Sequence, residues 1–176
     1  ALNGNVTGAD NVAVGVGALG VAVSCVGNIA IGSSSLVANT VGSNNISVGT
    51  LALQANTTGV KNIALGNDAL KASVSTTNNI AIGVSSLASL SGGLGFNVAL
   101  GTSALATATD ATGNIAIGAS SMTALTTGAN NIGLGFESLA SATTGQANIA
   151  LGTSALKDTT VGVRNIALGV NALYKN

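Results

Sequence analysis

Serine and lysine are the residue types from which this sequence could build a nucleophile and its base. The chain has no His and a single Cys, Cys25, which removes Ser-His-Asp triads and Cys-His pairs. A Ser–Lys arrangement would have to use Lys61, Lys71, Lys157 or Lys175. Each of these lysines occupies a variable position of the repeat described below, which favours a solvated surface charge. We therefore expect no enzymatic activity and no catalytic residue.

Carboxylates are the second group that could carry chemistry. The chain has five: Asp10, Asp68, Asp110, Glu137 and Asp158. A glycosidase needs two carboxyl groups within about 5–10 Å, whereas Asp68 and Glu137 share a repeat position four repeats apart, about 19 Å at the spacing of stacked strands. Calcium-binding roll repeats need an Asp in every turn. The sequence therefore predicts no metal site and no cofactor.

Three aromatic residues occupy variable positions and are expected to lie outside the core: Phe96, Phe136 and Tyr174. Exposed rings can contact a sugar or a neighbouring chain, so these three are the candidate surface-contact residues.

A ligand-binding solenoid, specific for ice or for a glycan, is the alternative function that the sequence leaves open. It is suggested by a threonine column five residues before the Asn of the repeat, interrupted by Val74 and Gly92. The members of the column are Thr40, Thr57, Thr109, Thr126, Thr143 and Thr160.

Ten copies of one short unit make up almost the whole chain of 176 residues. The units align on an Asn, called position 0, and later positions are counted from it. The spacing is 17 residues except for one of 18 between Asn79 and Asn97. The aligned residues are Asn11, Asn28, Asn45, Asn62, Asn79, Asn97, Asn114, Asn131, Asn148 and Asn165.

The positions after the Asn are each restricted to one or a few residue types. Position +1 is Val or Ile, +2 is Ala, Ser or Gly, +3 is Val, Ile or Leu, and +4 is always Gly. Position +7 is Ala or Ser, and +8 is Leu, replaced once by Met122. This period of two predicts a short strand whose large side chains lie on a buried face. The Gly is expected at a corner that needs positive φ or a close backbone approach, and the Leu on a second, inward-facing strand.

A unit of 17 residues is too short for helix–turn–helix repeats, which need about 34, and it suits one circuit of a β-solenoid. We predict an all-β fold, a parallel β-solenoid (β-roll) of ten 17-residue coils, forming one domain over residues 1–176. Stacked coils would place Asn on Asn in an amide ladder. The left-handed β-helix of hexapeptide acyltransferases is disfavoured, because the chain lacks three equal sides and a His base. The chain begins with Ala, which indicates a processed product or a fragment of a longer fibre.

Composition restricts the partners and the location. Charged residues are 6% of the chain, the formal net charge is zero and the five basic residues are scattered, so we expect no nucleic-acid binding. The longest apolar stretch, residues 12–23, is about half of the ~20 residues that cross a bilayer, so we expect no membrane insertion by this segment. A surface of Ser, Thr, Asn, Gly and Ala suits an exposed filament, at the cell surface, outside the cell or on a virion.

Self-association is the partner prediction. Three large buried side chains per coil make a thin core, and the Ala/Ser columns at +2 and +7 offer smooth surfaces to another chain. We therefore predict a homotrimer of parallel solenoids, or a filament.

The repeated Asn-Ile-Ala-Ile/Leu-Gly-x-x-Ala/Ser-Leu unit, with Thr-Thr-Gly spacers, resembles the repeats of phage tail fibres over essentially the whole chain. It is also similar to the head repeats of trimeric autotransporter adhesins, in which Val-Ala-Ile-Gly recurs, although the unit here is longer. The resemblance implies a trimeric β-roll or β-solenoid that serves as a shaft and attachment surface, outside the cell or on a virion, with a cell-surface glycan or receptor as partner.

Overall fold

The computed structural model describes residues 1–4 and 6–175 and contains, among them, ten strands of three residues each. All ten form one parallel sheet in chain order. The strands are Val12–Val14 (β1), Ile29–Ile31 (β2), Ile46–Val48 (β3), Ile63–Leu65 (β4), Ile80–Ile82 (β5), Val98–Leu100 (β6), Ile115–Ile117 (β7), Ile132–Leu134 (β8), Ile149–Leu151 (β9) and Ile166–Leu168 (β10).

The strands are paired with equivalent repeat positions in register. Val12 pairs with Ile29, and across the 18-residue interval Ile80 pairs with Val98, so the inserted residue is absorbed outside the sheet. Hydrogen bonds between successive coils continue beyond the strands, for example from the Leu36 N–H to the Ala52 carbonyl at 3.0 Å. The predicted parallel β-solenoid of in-register coils is confirmed.

The face of the strands that is buried is the opposite of the one predicted. The residue at +2 is buried in every strand from β2 to β10, and the residues at +1 and +3 are half-buried or exposed throughout. The Ala/Ser columns at +2 and +7 therefore line the interior and offer no surface to another chain. Alternation shows that +1 and +3 share a face, but which face is interior depends on the width of the coil, and this coil has room for Ala opposite Leu.

The Leu at +8 forms the opposite wall of the interior, in a turn rather than on the predicted second strand. In the coil after β6, the Ala104 N–H donates to the Gly101 carbonyl at 3.2 Å and the Ala106 N–H to the Ser103 carbonyl at 3.3 Å. Ser103 and Leu105 have φ of 57° and 52°, the left-handed conformation of the third residue of a type II turn. Complete burial of Leu105, worth about 1.5–3 kcal/mol, offsets a left-handed strain of about 1–2 kcal/mol.

The Gly at +4 is required for two reasons. Gly101 has φ +136°, which L residues rarely adopt, and a Cβ on it would lie 2.6 Å from the carbonyl carbon and oxygen of Gly118 in the next coil. The corner predicted at this position is confirmed, and the close approach of the next coil adds to the conformational requirement.

The predicted asparagine ladder is also confirmed. Each aligned Asn from Asn28 to Asn165 donates its backbone N–H and its side-chain Nδ2 to the Oδ1 of the preceding Asn, at 2.9–3.1 Å and 3.0–3.2 Å. The second Nδ2 hydrogen of Asn114 binds the Gly128 carbonyl at 2.9 Å, which fastens the far end of the same coil. Every polar atom of this buried amide therefore has a partner, which removes the usual cost of burying it.

Comparison of Gly101→Ala with Gly169→Ala separates the clash with the next coil from the backbone strain. Gly169 has φ +120° and nothing within 4 Å of a Cβ placed on it, so we expect Gly169→Ala to cost about 1–3 kcal/mol from strain alone. Gly101→Ala should cost clearly more, because it also forces the next coil away. Thermal or denaturant unfolding measures both, and equal losses would contradict the close-approach argument.

Replacement of Asn114 by Ala removes one rung of the ladder. It leaves the Asn131 N–H and the Gly128 carbonyl without this partner, at about 1–3 kcal/mol for each group left unsatisfied, whereas the Asn97 Oδ1 keeps the hydrogen bond from the backbone N–H of residue 114. The matched control is Asn67→Ala, which removes one exposed hydrogen bond, to the Thr50 N–H at 3.0 Å, and should cost about 1 kcal/mol or less. Similar losses of unfolding free energy in the two variants would refute a stabilising ladder.

Candidate functional site

The outward-facing residues of the sheet form one continuous apolar surface. We call it the aliphatic face and define it as the first and third residues of strands β1 to β10, twenty side chains that are all Val, Ile or Leu. None of the twenty is buried, because their Cβ atoms point away from the interior. Eight are exposed: Val12, Val14, Ile31, Ile82, Ile115, Leu134, Ile166 and Leu168.

The face is long, narrow and uncharged. Nine steps between the ten strands, at about 4.8 Å each, give a length of about 43 Å, and the two columns lie about 7 Å apart. At position +5, beside the +3 column, Val16, Val84, Phe136 and Val170 add further exposed apolar area. Contiguous apolar patches of several hundred Å² on soluble proteins mark contact surfaces. The arrangement can therefore bind an apolar partner. None of its side chains is polar, so none competes with the sheet backbone for hydrogen bonds.

Two of the three predicted contact residues flank this face. Phe96 is 59% exposed and precedes Val98 of β6 by two residues, whereas Phe136 is 51% exposed and follows Leu134 of β8 by two. They lie on opposite sides of the aliphatic face and two coils apart, so they do not form one aromatic site. Their predicted exposure is confirmed.

Tyr174 lies in a separate place, among the turns of the last coil. The Lys157 Nζ lies 5.8 Å from the centre of its ring and binds the Glu137 carboxylate at 2.7 Å. The hydrogen bond that Lys157 donates to the Glu137 carboxylate raises the pKa of Lys157; desolvation opposes this increase in part, and the charge of Glu137 and Tyr174 add smaller increases. This pair is a surface ion pair of ordinary kind, whose contribution to stability is small.

The remaining candidate groups are dispersed. Asp68 pairs with Lys71 at 2.9 Å, and Glu137 with Lys157, so the two carboxylates that share a repeat position each have a lysine partner. Within residues 1–4 and 6–175 no cluster of three or more His, Cys, Asp or Glu side chains is placed to hold a metal ion, and no pocket is found. Among the same residues no helix is long and apolar enough to span a membrane.

The threonine column is engaged in holding the coils together. The hydroxyls of five threonines donate to the backbone carbonyl of the equivalent position in the next coil at 3.0–3.4 Å. The five are Thr40, Thr57, Thr109, Thr126 and Thr143. Their hydroxyl hydrogens are thus directed along the stack rather than toward a ligand.

Sequence reasoning missed the aliphatic face, although a signal for it exists. The Asn at position 0 and the small residue at +2 have the same parity along the strand, so they must point to the same side. An amide ladder is most valuable where water is excluded, which places both on the inside and the aliphatic residues on the outside.

Comparison of this chain with protein-family models, with curated proteins and with solved structures gives no match.

Proposed function

We propose that this chain is a structural and adhesive fibre segment that self-associates through the aliphatic face, as a homotrimer of parallel solenoids. The observation that carries the proposal is the uninterrupted column pair of Val, Ile and Leu along all ten strands. Burial of these half-exposed side chains, at about 25 cal/mol per Å² of apolar area, supplies stability that the narrow interior of Ala and Leu lacks.

A second copy of the chain is the partner that fits this face best. Side chains that recur every ~4.8 Å form ridges and grooves whose spacing is matched along the whole length by another solenoid of the same rise. The face contains no charged or hydrogen-bonding side chain, so it selects neither a charged peptide nor a nucleic acid. The threefold stoichiometry is taken from the resemblance to tail-fibre and adhesin-head repeats.

The role in attachment follows from shape and surface. A stiff rod of stacked coils provides reach, and its surface is mainly neutral, since only ten of 176 residues are charged. Such a rod suits an extracellular, cell-surface or virion-borne position, where it would hold a contact surface away from its anchor. The partner there would be a cell-surface glycan or receptor.

Introduction of a charge into the aliphatic face tests the association. Ile115, in β7, is 37% exposed in the single chain, so Lys at this position is tolerated by the coil but would be buried in the proposed assembly. An unpaired buried charge costs about 3 kcal/mol or more, which is about a hundredfold in Kd. Sedimentation analysis of Ile115→Lys should show dissociation at concentrations where the unaltered chain is assembled.

The matched control is Thr127→Lys, because Thr127 is exposed outside the sheet and should leave the assembly intact. Circular dichroism would establish that both variants are folded. A stable monomer of the unaltered chain at micromolar concentration would refute the proposal. Thermal hysteresis or glycan binding by that monomer would instead favour the ligand-binding solenoid.

A further inference from the structure

The aliphatic face by itself does not determine how two copies align along their axis. Positions +1 and +3 are aliphatic in every coil, so a slip of one copy by one coil, about 4.8 Å, replaces aliphatic contacts by aliphatic contacts. Only contacts at the two ends are lost. Strand registers that lack a distinguishing pattern are prone to slippage, so a unique alignment requires a feature that occurs once.

The inserted residue between β5 and β6 creates such a feature. Gly93 and Gly95 adopt φ of 83° and 86°, and the chain between and after them presents two large apolar side chains to solvent. Leu94 is 75% exposed and Phe96 is 59% exposed. Phe96 lies at position −1, two residues before Val98, which begins the aliphatic face in this coil.

No other coil has a large apolar residue at position −1. Its occupants elsewhere are polar, charged or small: Asp10, Gly27, Asn44, Lys61, Asn78, Gly113, Asn130, Ala147 and Arg164. A slipped copy would therefore bring Leu94 and Phe96 against different residues at the border of the face, because position +5 is Val, Ser, Thr, Asn, Ala or Phe in different coils.

The backbone of the bulge is held in place by hydrogen bonds to the coils on both sides. The Leu94 N–H donates to Thr112 Oγ1 at 3.1 Å, and the Gly113 N–H donates to the Gly95 carbonyl at 3.1 Å, both in the following coil. The Phe96 N–H donates to the Thr77 carbonyl of the preceding coil at 3.3 Å. The two exposed side chains thus project from a fixed backbone, which limits the entropy lost when they are buried.

We propose that Leu94 and Phe96 set the axial register of self-association, by docking against the border of the aliphatic face of a second copy of this chain. The proposal rests on the proposed function, because it assumes that the copies associate through that face. Affinity comes from the twenty aliphatic side chains, and Leu94 and Phe96 select one alignment among many of similar energy.

Site-specific photocrosslinking tests the register directly. Thr153, which is exposed at position +5 and lies three coils away from Phe96, is replaced by the photocrosslinking residue benzoylphenylalanine. The same chains carry Cys25→Ala, which removes the one thiol. Equal mixing of ¹⁵N-labelled and unlabelled chains identifies crosslinks between chains by mass spectrometry. In this background the crosslinks should concentrate in one coil of the neighbouring chain. With Leu94→Ser and Phe96→Asn added they should spread over several coils, while sedimentation shows the same assembly size.

Asn is chosen at residue 96 because Asn44, Asn78 and Asn130 occupy that position with the same positive φ. The control, Val41→Ser with Val161→Ser, removes two exposed apolar side chains away from the face and should keep the single-coil pattern. An unchanged pattern in the Leu94/Phe96 variant would overturn the inference, and so would loss of assembly in that variant, since the pair would then supply affinity. Absence of assembly in the unaltered chain would instead overturn the proposed function.

Discussion

Each coil of this protein is hydrogen-bonded to the coils before and after it, equivalent residue to equivalent residue, and this in-register stacking constrains every other feature. Identical side chains must lie about 4.8 Å apart along the stack, so each repeat position accepts only residues that tolerate their own copy as neighbour. Asn satisfies this condition in the interior. Its Oδ1 accepts two hydrogen bonds from the next Asn, and its Nδ2 donates to the preceding Asn and to a carbonyl at the far end of its own coil. A carboxylate column in the same place would bring like charges together.

The narrow interior explains why the inward-facing positions +2 and +8 accept so few residue types. Ala at +2 faces Leu at +8, and the one coil with Met at +8 is followed by Gly at +2. A Cβ on Gly133 would lie 2.8 Å from the Ser121 and Ser138 Oγ atoms and 2.9 Å from the Met122 Cε, so the longer side chain and the two hydroxyls are accommodated by removal of a methyl group. Ser47 at +2 is likewise matched by Ser35, whose hydroxyl donates to the Ser47 Oγ at 2.7 Å. Close packing thus couples neighbouring coils through volume and through hydrogen bonds.

The same narrowness turns the aliphatic side chains outward. A coil that holds only Ala and Leu inside buries little apolar surface per residue, and its largest β-branched side chains remain half in water. Association with another solenoid would complete their burial, and so the fold and the proposed assembly have one physical origin. The bulge at residues 92–96 departs from the repeat at a place where the sheet is unaffected, which is where a repeat protein can carry a unique contact without cost to its stacking.

The sequence by itself determined the solenoid, the length of the coil, the corner at the invariant Gly and the asparagine ladder. These follow from periodicity, because a strict 17-residue repeat of short β-type segments stacks only in register. The period of two did not by itself determine which side of the strand is interior, because it is symmetric between the faces, and the parity shared by the Asn and the residue at +2 only favours one side. The sequence also placed Leu105 on a strand, although this residue lies in a turn with φ 52°. Only the tertiary structure decided these points, because the width between opposite walls sets which side chains fit inside, and that distance is a property of the closed coil rather than of any one segment.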